Sequence, residues 1–156
     1  MQLPVDKFPR LAFPAAELRL RQDEGGVKIF DPIRKKWLFL TPEEWVRQHA
    51  LKYLVSDLGY SSALVRTEGG QKVHGMPRRF DVLVYTREGA PYLLMECKAP
   101  AVKINQDTFA QISAYNLTQK ASVLVVTNGL EHYCCKVHFE ERRYEWLSQI
   151  PAFSNN

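Results

Sequence analysis

The sequence predicts an α/β domain with a mixed central sheet flanked by helices and a small β extension at its N-terminal end. Two apolar runs, 80–85 and 91–98, are joined by a short connection that contains Gly89, the signal of an antiparallel hairpin. Segment 105–119 carries apolar residues at helical spacing, and segment 121–127 is a continuous apolar run typical of a strand buried on both faces. A hairpin, a crossover helix and a buried strand in this order predict a mixed sheet.

The first forty residues are predicted to extend the same domain. Three prolines within the first fourteen residues argue against a helix at the start. Short apolar runs between residues 18 and 40, separated by Gly-Gly and Asp-Pro turns, predict a small β meander. We therefore divide the chain into an extension, 1–40, and a core, 41–156.

A helix is predicted to follow the meander. Thr41 is placed as its N-cap, Pro42 at its first position and Glu44 three residues after the cap. Apolar residues at helical spacing continue to about Leu58, and Gly59 can end the helix. Acidic residues in the first turn suit the helix dipole without any functional role.

Three further elements complete the prediction. We expect a strand over 63–68 before the hairpin, a strand over 131–139, and a short helix over 140–150. The adjacent Cys134 and Cys135 fall on opposite faces of their strand, which disfavours a zinc site and indicates core residues.

Composition is that of a globular protein outside the membrane. The chain has 156 residues, of which 46% are hydrophobic and 24% charged, and no apolar run is long enough to span a bilayer. The start lacks a secretory pattern, and the few cysteines suit a reducing compartment, so we expect a cytoplasmic protein. The net charge of +4 is compatible with a polyanionic partner.

Ionic residues interrupt the predicted hairpin at one edge. Asp81 opens its first strand, and Glu96 and Lys98 close the second, so antiparallel pairing brings the three together. Two carboxylates suit a hard cation such as Mg²⁺, which can activate water. Lys98 can then orient that water, accept its proton or neutralise a phosphate. The alternative is a solvated strand end with an ordinary turn aspartate.

This pattern resembles the PD-(D/E)xK nuclease motif, with Phe80 in place of the proline. The contexts 79–81 (Arg-Phe-Asp) and 96–100 (Glu-Cys-Lys-Ala-Pro) are similar to the N-terminal nuclease domain of type I restriction enzyme R subunits. The resemblance implies a restriction-endonuclease-like fold and a metal-dependent DNA nuclease. Arg79 belongs to a basic pair beside the motif, and such a pair can contact DNA phosphates or form a solvated face.

A second stretch, 42–48, resembles the first motif of that family, in which a helical glutamate completes the metal site. The resemblance implies this role for Glu43, with Glu44 or a purely capping role as alternatives. Arg47 is then an internal partner or a phosphate contact. Glu68, at the end of the strand before the hairpin, is either another acid of the metal site or an ordinary strand-end charge.

Gln111 and Tyr115 share a helix face and resemble the family's Gln-x-x-x-Tyr motif, which faces the active site or the DNA backbone. An amide and a phenol can donate hydrogen bonds to phosphate oxygens without repelling a cation.

The sequence thus predicts a hydrolase, an endonuclease that cuts DNA with Mg²⁺, or with Mn²⁺ in its place. The alternative is an inactive nucleic-acid-binding or regulatory module on the same fold. The chain contains no Gly-x-x-x-x-Gly-Lys-Ser/Thr phosphate loop, so we expect no ATP site. Expected partners are DNA, a separate ATPase/translocase or specificity subunit, and a second copy of the chain.

Overall fold

The computed structural model describes residues 8–68 and 80–154, and within these ranges it contains two β-sheets and two α-helices. The first sheet is antiparallel and consists of β1 (Leu20–Asp23), β2 (Gly26–Asp31) and β3 (Lys36–Phe39). It confirms the predicted β meander between residues 18 and 40.

Helix α1 (Pro42–Lys52) begins as predicted, because the Thr41 hydroxyl accepts the backbone N–H of Glu44 at 3.0 Å. The helical path continues through a π-helical turn, Tyr53–Asp57, so that it ends close to the predicted position. Gly59 follows with a φ of +82°, a conformation that glycine adopts without strain.

The second sheet is mixed and carries the helices on its two faces. Its six strands lie in the order of their numbering: β4 (Val65–Thr67), β5 (Val82–Tyr85), β6 (Pro91–Cys97), β7 (Val123–Thr127), β8 (His132–His138) and β9 (Arg143–Leu147). Strands β6 and β7 are parallel, because helix α2 (Gln106–Gln119) crosses over between them, and the other neighbouring pairs are antiparallel. The predicted mixed sheet with flanking helices and a β extension is confirmed.

Each face of the mixed sheet has its own apolar core. One core contains Val46 and Leu54 of α1, and the other contains Ile112 of α2. Cys134 belongs to the first core and Cys135 to the second, as their alternation predicted. Burial raises the pKa of the Cys135 thiol to about 11, so both cysteines behave as small apolar residues.

The predicted helix over 140–150 is wrong, because this segment forms strand β9. The chain turns back after β8, with Arg142 at a φ of +53°, and β9 pairs antiparallel with β8. Tyr144 and Trp146 lie on one side of the strand, with ring centroids 5.3 and 4.9 Å from that of Phe109 in α2. Leu147, which follows Trp146, packs against the core that contains α1. Successive side chains therefore point to opposite faces of the sheet, as they do in a strand.

The segment before β1 packs on the core of the mixed sheet. Leu11 and Phe13 are buried with the residues of α1, and the Ala12 N–H donates to the Gly129 carbonyl at 2.7 Å. A Cβ atom at Gly129 would lie 2.7 Å from Leu11 Cδ2. The division of the chain at residues 40 and 41 stays a prediction.

Candidate active site

Asp81 is held at the edge of the sheet where β5 begins and β6 ends. Val82 is the partner of Met95, so Asp81 lies one residue before that pair. Its Oδ2 atom accepts the backbone N–H of Cys97 at 2.7 Å, and its side chain is completely buried. The carboxylate is therefore fixed beside the residue that separates Glu96 from Lys98.

Glu96 and Lys98 form an ion pair at this edge. Lys98 Nζ lies 3.4 Å from Glu96 Oε1, and the two side chains are 26% and 22% exposed. The Lys98 N–H donates to the carbonyl of Thr127 at 2.8 Å, which ties the end of β6 to β7. The structure thus brings together Asp81, Glu96 and Lys98, and both chemical groups of the ion pair remain accessible to solvent.

Arg47 neutralises the acidic residues of α1 and the sheet edge. Its guanidinium is fully buried and donates to Asp81 Oδ1 at 2.6 Å, to Glu43 Oε1 at 2.6 Å and to Glu44 Oε1 at 2.7 Å. Burial by itself would lower the pKa of Arg47, but the carboxylates of Asp81 and Glu44 raise it above the usual value. Of the two roles predicted for Arg47, the structure shows the internal partner.

The charged network continues into the turn between β2 and β3. Arg34 Nε lies 2.9 Å from Asp31 Oδ2, and Arg34 Nη2 lies 3.8 Å from Glu44 Oε1. Among the described residues, this network joins four carboxylates and two guanidiniums: Asp31, Glu43, Glu44, Asp81, Arg34 and Arg47. Asp31 and Arg34 have no local sequence signature, because only the tertiary fold brings their turn to α1.

The two glutamates of α1 differ in their surroundings. The Glu44 side chain is buried and also accepts Gln48 Nε2 at 3.0 Å, whereas the Glu43 side chain is 31% exposed. Glu68 lies beside Asp81, because its N–H donates to the Asp81 carbonyl at 3.3 Å. The role of each acid toward a metal stays a prediction.

Gln111 and Tyr115 face the same cleft as Glu96. The cleft has a volume of about 100 Å³ and is also lined by Phe80, Leu94 and Ile112. The Tyr115 hydroxyl accepts Gln119 Nε2 at 3.0 Å. The predicted shared face of α2 is confirmed, and it opens beside the carboxylate at the end of β6. Arg79 lies outside the described residues.

The oxygen atoms at this edge are of the type that binds a hard divalent cation. Asp81 and Glu96 supply carboxylate oxygens, the ligands that Mg²⁺ prefers. Both Asp81 oxygens accept hydrogen bonds, one from Cys97 and one from Arg47. Within residues 8–68 and 80–154, no three His, Cys, Asp or Glu side chains are grouped as a metal site.

A mixed sheet with a crossover helix and an Asp, Glu and Lys at one edge defines a protein of the restriction-endonuclease-like class. A family model described as the type I restriction enzyme R protein N terminus matches residues 42–151. The chain belongs to this family, which indicates a nuclease-like role. A search of curated proteins found no match. In the described part of the chain, no helix has the length and apolar character needed to cross a membrane.

Proposed function

We propose that the protein is a Mg²⁺-dependent endonuclease that hydrolyses phosphodiester bonds in DNA, with Mn²⁺ as a substitute. The observation that carries the proposal is the position of the Glu96–Lys98 pair beside Asp81 at one sheet edge. Asp81 is buried at this point, whereas the charged groups of Glu96 and Lys98 are partly exposed, so a substrate can reach the pair.

The residues have separate roles in this proposal. Asp81 and Glu96 would hold the cation, which when bound supplies a Lewis acid and lowers the pKa of a coordinated water. Lys98, 3.4 Å from Glu96, would place a positive charge where the attacked phosphate gains negative charge. Arg47 would hold the Asp81 carboxylate in position.

The DNA contacts follow from the cleft beside Glu96. Gln111 and Tyr115 line it and would donate hydrogen bonds to phosphate oxygens, while Arg79 is proposed as a further phosphate contact. The family context extends the proposal to partners: a separate ATPase/translocase or specificity subunit in the cytoplasm, and a second copy of the chain.

DNA cleavage tests the proposal. Supercoiled, linear and single-stranded DNA would be incubated with the protein and Mg²⁺ or Mn²⁺. We expect Glu96→Gln and Lys98→Gln to lower the cleavage rate at least about a hundredfold, because each removes a charged group from the reaction. Both side chains are partly exposed, so neither change disturbs the buried network around Arg47.

Lys103→Gln is the matched control, because Lys103 is an exposed lysine in the segment after β6. It should cut DNA at the wild-type rate. If the wild type binds DNA but never cuts it, even with Mn²⁺, the proposal fails and an inactive binding module on the same fold takes its place.

A further inference from the structure

The outer face of the small sheet combines cations with aromatic rings. In the register of β1, β2 and β3, Arg21 is the partner of Lys28, Lys28 of Phe39, and Phe30 of Trp37. Partnered residues project to the same side of a sheet, and so do alternate residues of a strand. One face therefore carries three cations and three rings: Arg19, Arg21, Lys28, Phe30, Trp37 and Phe39. The opposite face is packed, because Ile29 on it is fully buried.

The cations lie over the rings. Arg21 Cζ is 4.4 Å from the Trp37 ring centroid, Arg19 Cζ is 4.5 Å from that of Phe30, and Lys28 Nζ is 5.0 Å from that of Phe39. Phe39 is 53% exposed although it is a large apolar residue. This face is thus an ordered arrangement of rings and positive charges that solvent can reach.

Charge on this sheet is unbalanced toward the positive. Lys35 in the turn between β2 and β3 and Lys36 at the start of β3 are both exposed and add two cations to the sheet. The carboxylates are Asp23, which lies 3.5 Å from Arg21 and 3.3 Å from Lys28, Glu24 in the turn at the other end, and the buried Asp31, which pairs with Arg34. The segment from residue 19 to residue 39 thus holds six cations and three carboxylates, a positive balance that is complementary to a polyanion.

We propose that this face binds single-stranded DNA. Single strands expose both phosphates and bases, and proteins bind them with basic grooves and aromatic rings on which bases stack. Trp37 and Phe39 would receive the bases, and Arg19, Arg21 and Lys28 would contact phosphates. A duplex, whose bases are already stacked, would use the cations alone.

The position of the sheet relates this surface to the candidate active site. Arg34, in the turn between β2 and β3, lies 3.8 Å from Glu44, which binds Arg47. The small sheet is therefore docked on the helix that supplies the acidic network. The inference rests on the proposed function and adds a second contact to DNA. Binding at this face, however, requires neither DNA cleavage nor a divalent metal ion.

Binding of a fluorescent oligothymidine of roughly 16 nucleotides, measured by anisotropy in EDTA, tests the proposal. We expect Trp37→Ala to weaken binding at least about fivefold and Trp37→Phe to retain most of it, because stacking needs a ring. Trp146→Ala is the matched control, since Trp146 is 58% exposed on β9 and should leave the affinity unchanged. Circular dichroism would confirm that each variant is folded.

The salt dependence of binding separates phosphate contacts from other effects. In the double variant Arg19→Gln with Arg21→Gln, the logarithm of the association constant should fall less steeply with the logarithm of the salt concentration. The magnitude of the slope should decrease by about 1.4, which is about 0.7 for each lost contact. The control is Arg142→Gln with Arg143→Gln, which removes two exposed arginines at the start of β9 and should leave the slope unchanged.

Equal slopes for the two double variants would overturn the proposal. So would duplex binding as tight as single-strand binding together with no effect of Trp37→Ala, because stacking would then be absent. If the wild-type protein binds oligothymidine but does not cleave DNA, the proposed nuclease function is refuted and the proposed single-strand binding surface is retained.

Discussion

The buried guanidinium of Arg47 offers the sharpest test of how the site is held together. Arg47 and Asp81 are both completely buried, and Glu44 is only 5% exposed. Removing the cation in Arg47→Met leaves two carboxylates buried without it. Breaking a buried ion pair from one side costs about 3–5 kcal/mol, a large part of the roughly 5–15 kcal/mol that stabilise a typical domain.

Urea unfolding, followed by circular dichroism, measures this cost as a change in the free energy of unfolding. Glu43→Gln is the matched control, because the Glu43 side chain is 31% exposed and such a pair contributes about 0–1 kcal/mol. Adding Asp81→Asn to Arg47→Met should recover part of the loss, since it removes one of the buried carboxylates that Arg47 no longer neutralises. A loss below about 1 kcal/mol for Arg47→Met would refute the reasoning.

Two other predictions concern the rest of the fold. Gly129→Ala and Gly89→Ala both place a side chain at positive φ, but only Gly129 would bring its Cβ against Leu11; Gly89 has open space around it. Gly129→Ala should therefore be the less stable variant in urea unfolding by about 1–3 kcal/mol, and equal losses would contradict this contact. Burial lowers the pKa of His49 in the folded protein and outweighs the opposing effect of the hydrogen bond between the ring and the Trp45 carbonyl. As the pH falls, His49 is therefore protonated in the unfolded chain before it is protonated in the folded protein. The free energy of unfolding should thus decrease below about pH 6.5, more steeply for the wild type than for His49→Gln, and parallel pH profiles would exclude His49 as the cause.

Local sequence signals predicted the elements whose structure depends on local chemistry. Thr41 caps α1 as predicted, and α2 begins where its segment was predicted to start, with Asn105 accepting the Thr108 N–H at 3.1 Å. The hairpin that places Asp81 beside Glu96 also formed as predicted, because its two strands and its turn are contiguous in the chain. The juxtaposition of the three charged residues was therefore accessible from the sequence.

The parts that could not be predicted depend on distant partners. Tyr144, Leu147 and Ile150 have a spacing that suits a helix, and only pairing with β8 selects the strand. Arg34 reaches Glu44 because the small sheet docks on α1, a contact that has no local signature. The choice between Glu43 and Glu44 is open for a related reason, since both bind the same guanidinium.

The contact between the first described segment and the turn after β7 has a consequence for synthesis on the ribosome. Ala12 donates its N–H to Gly129 and accepts a hydrogen bond at its carbonyl from His132. These partners are translated long after residue 12, so the apolar side chains of Leu11 and Phe13 have no site to enter until most of the chain has emerged. The segment around Leu11 therefore packs late in folding, and Pro9 and Pro14 on either side of it disfavour helix formation until then.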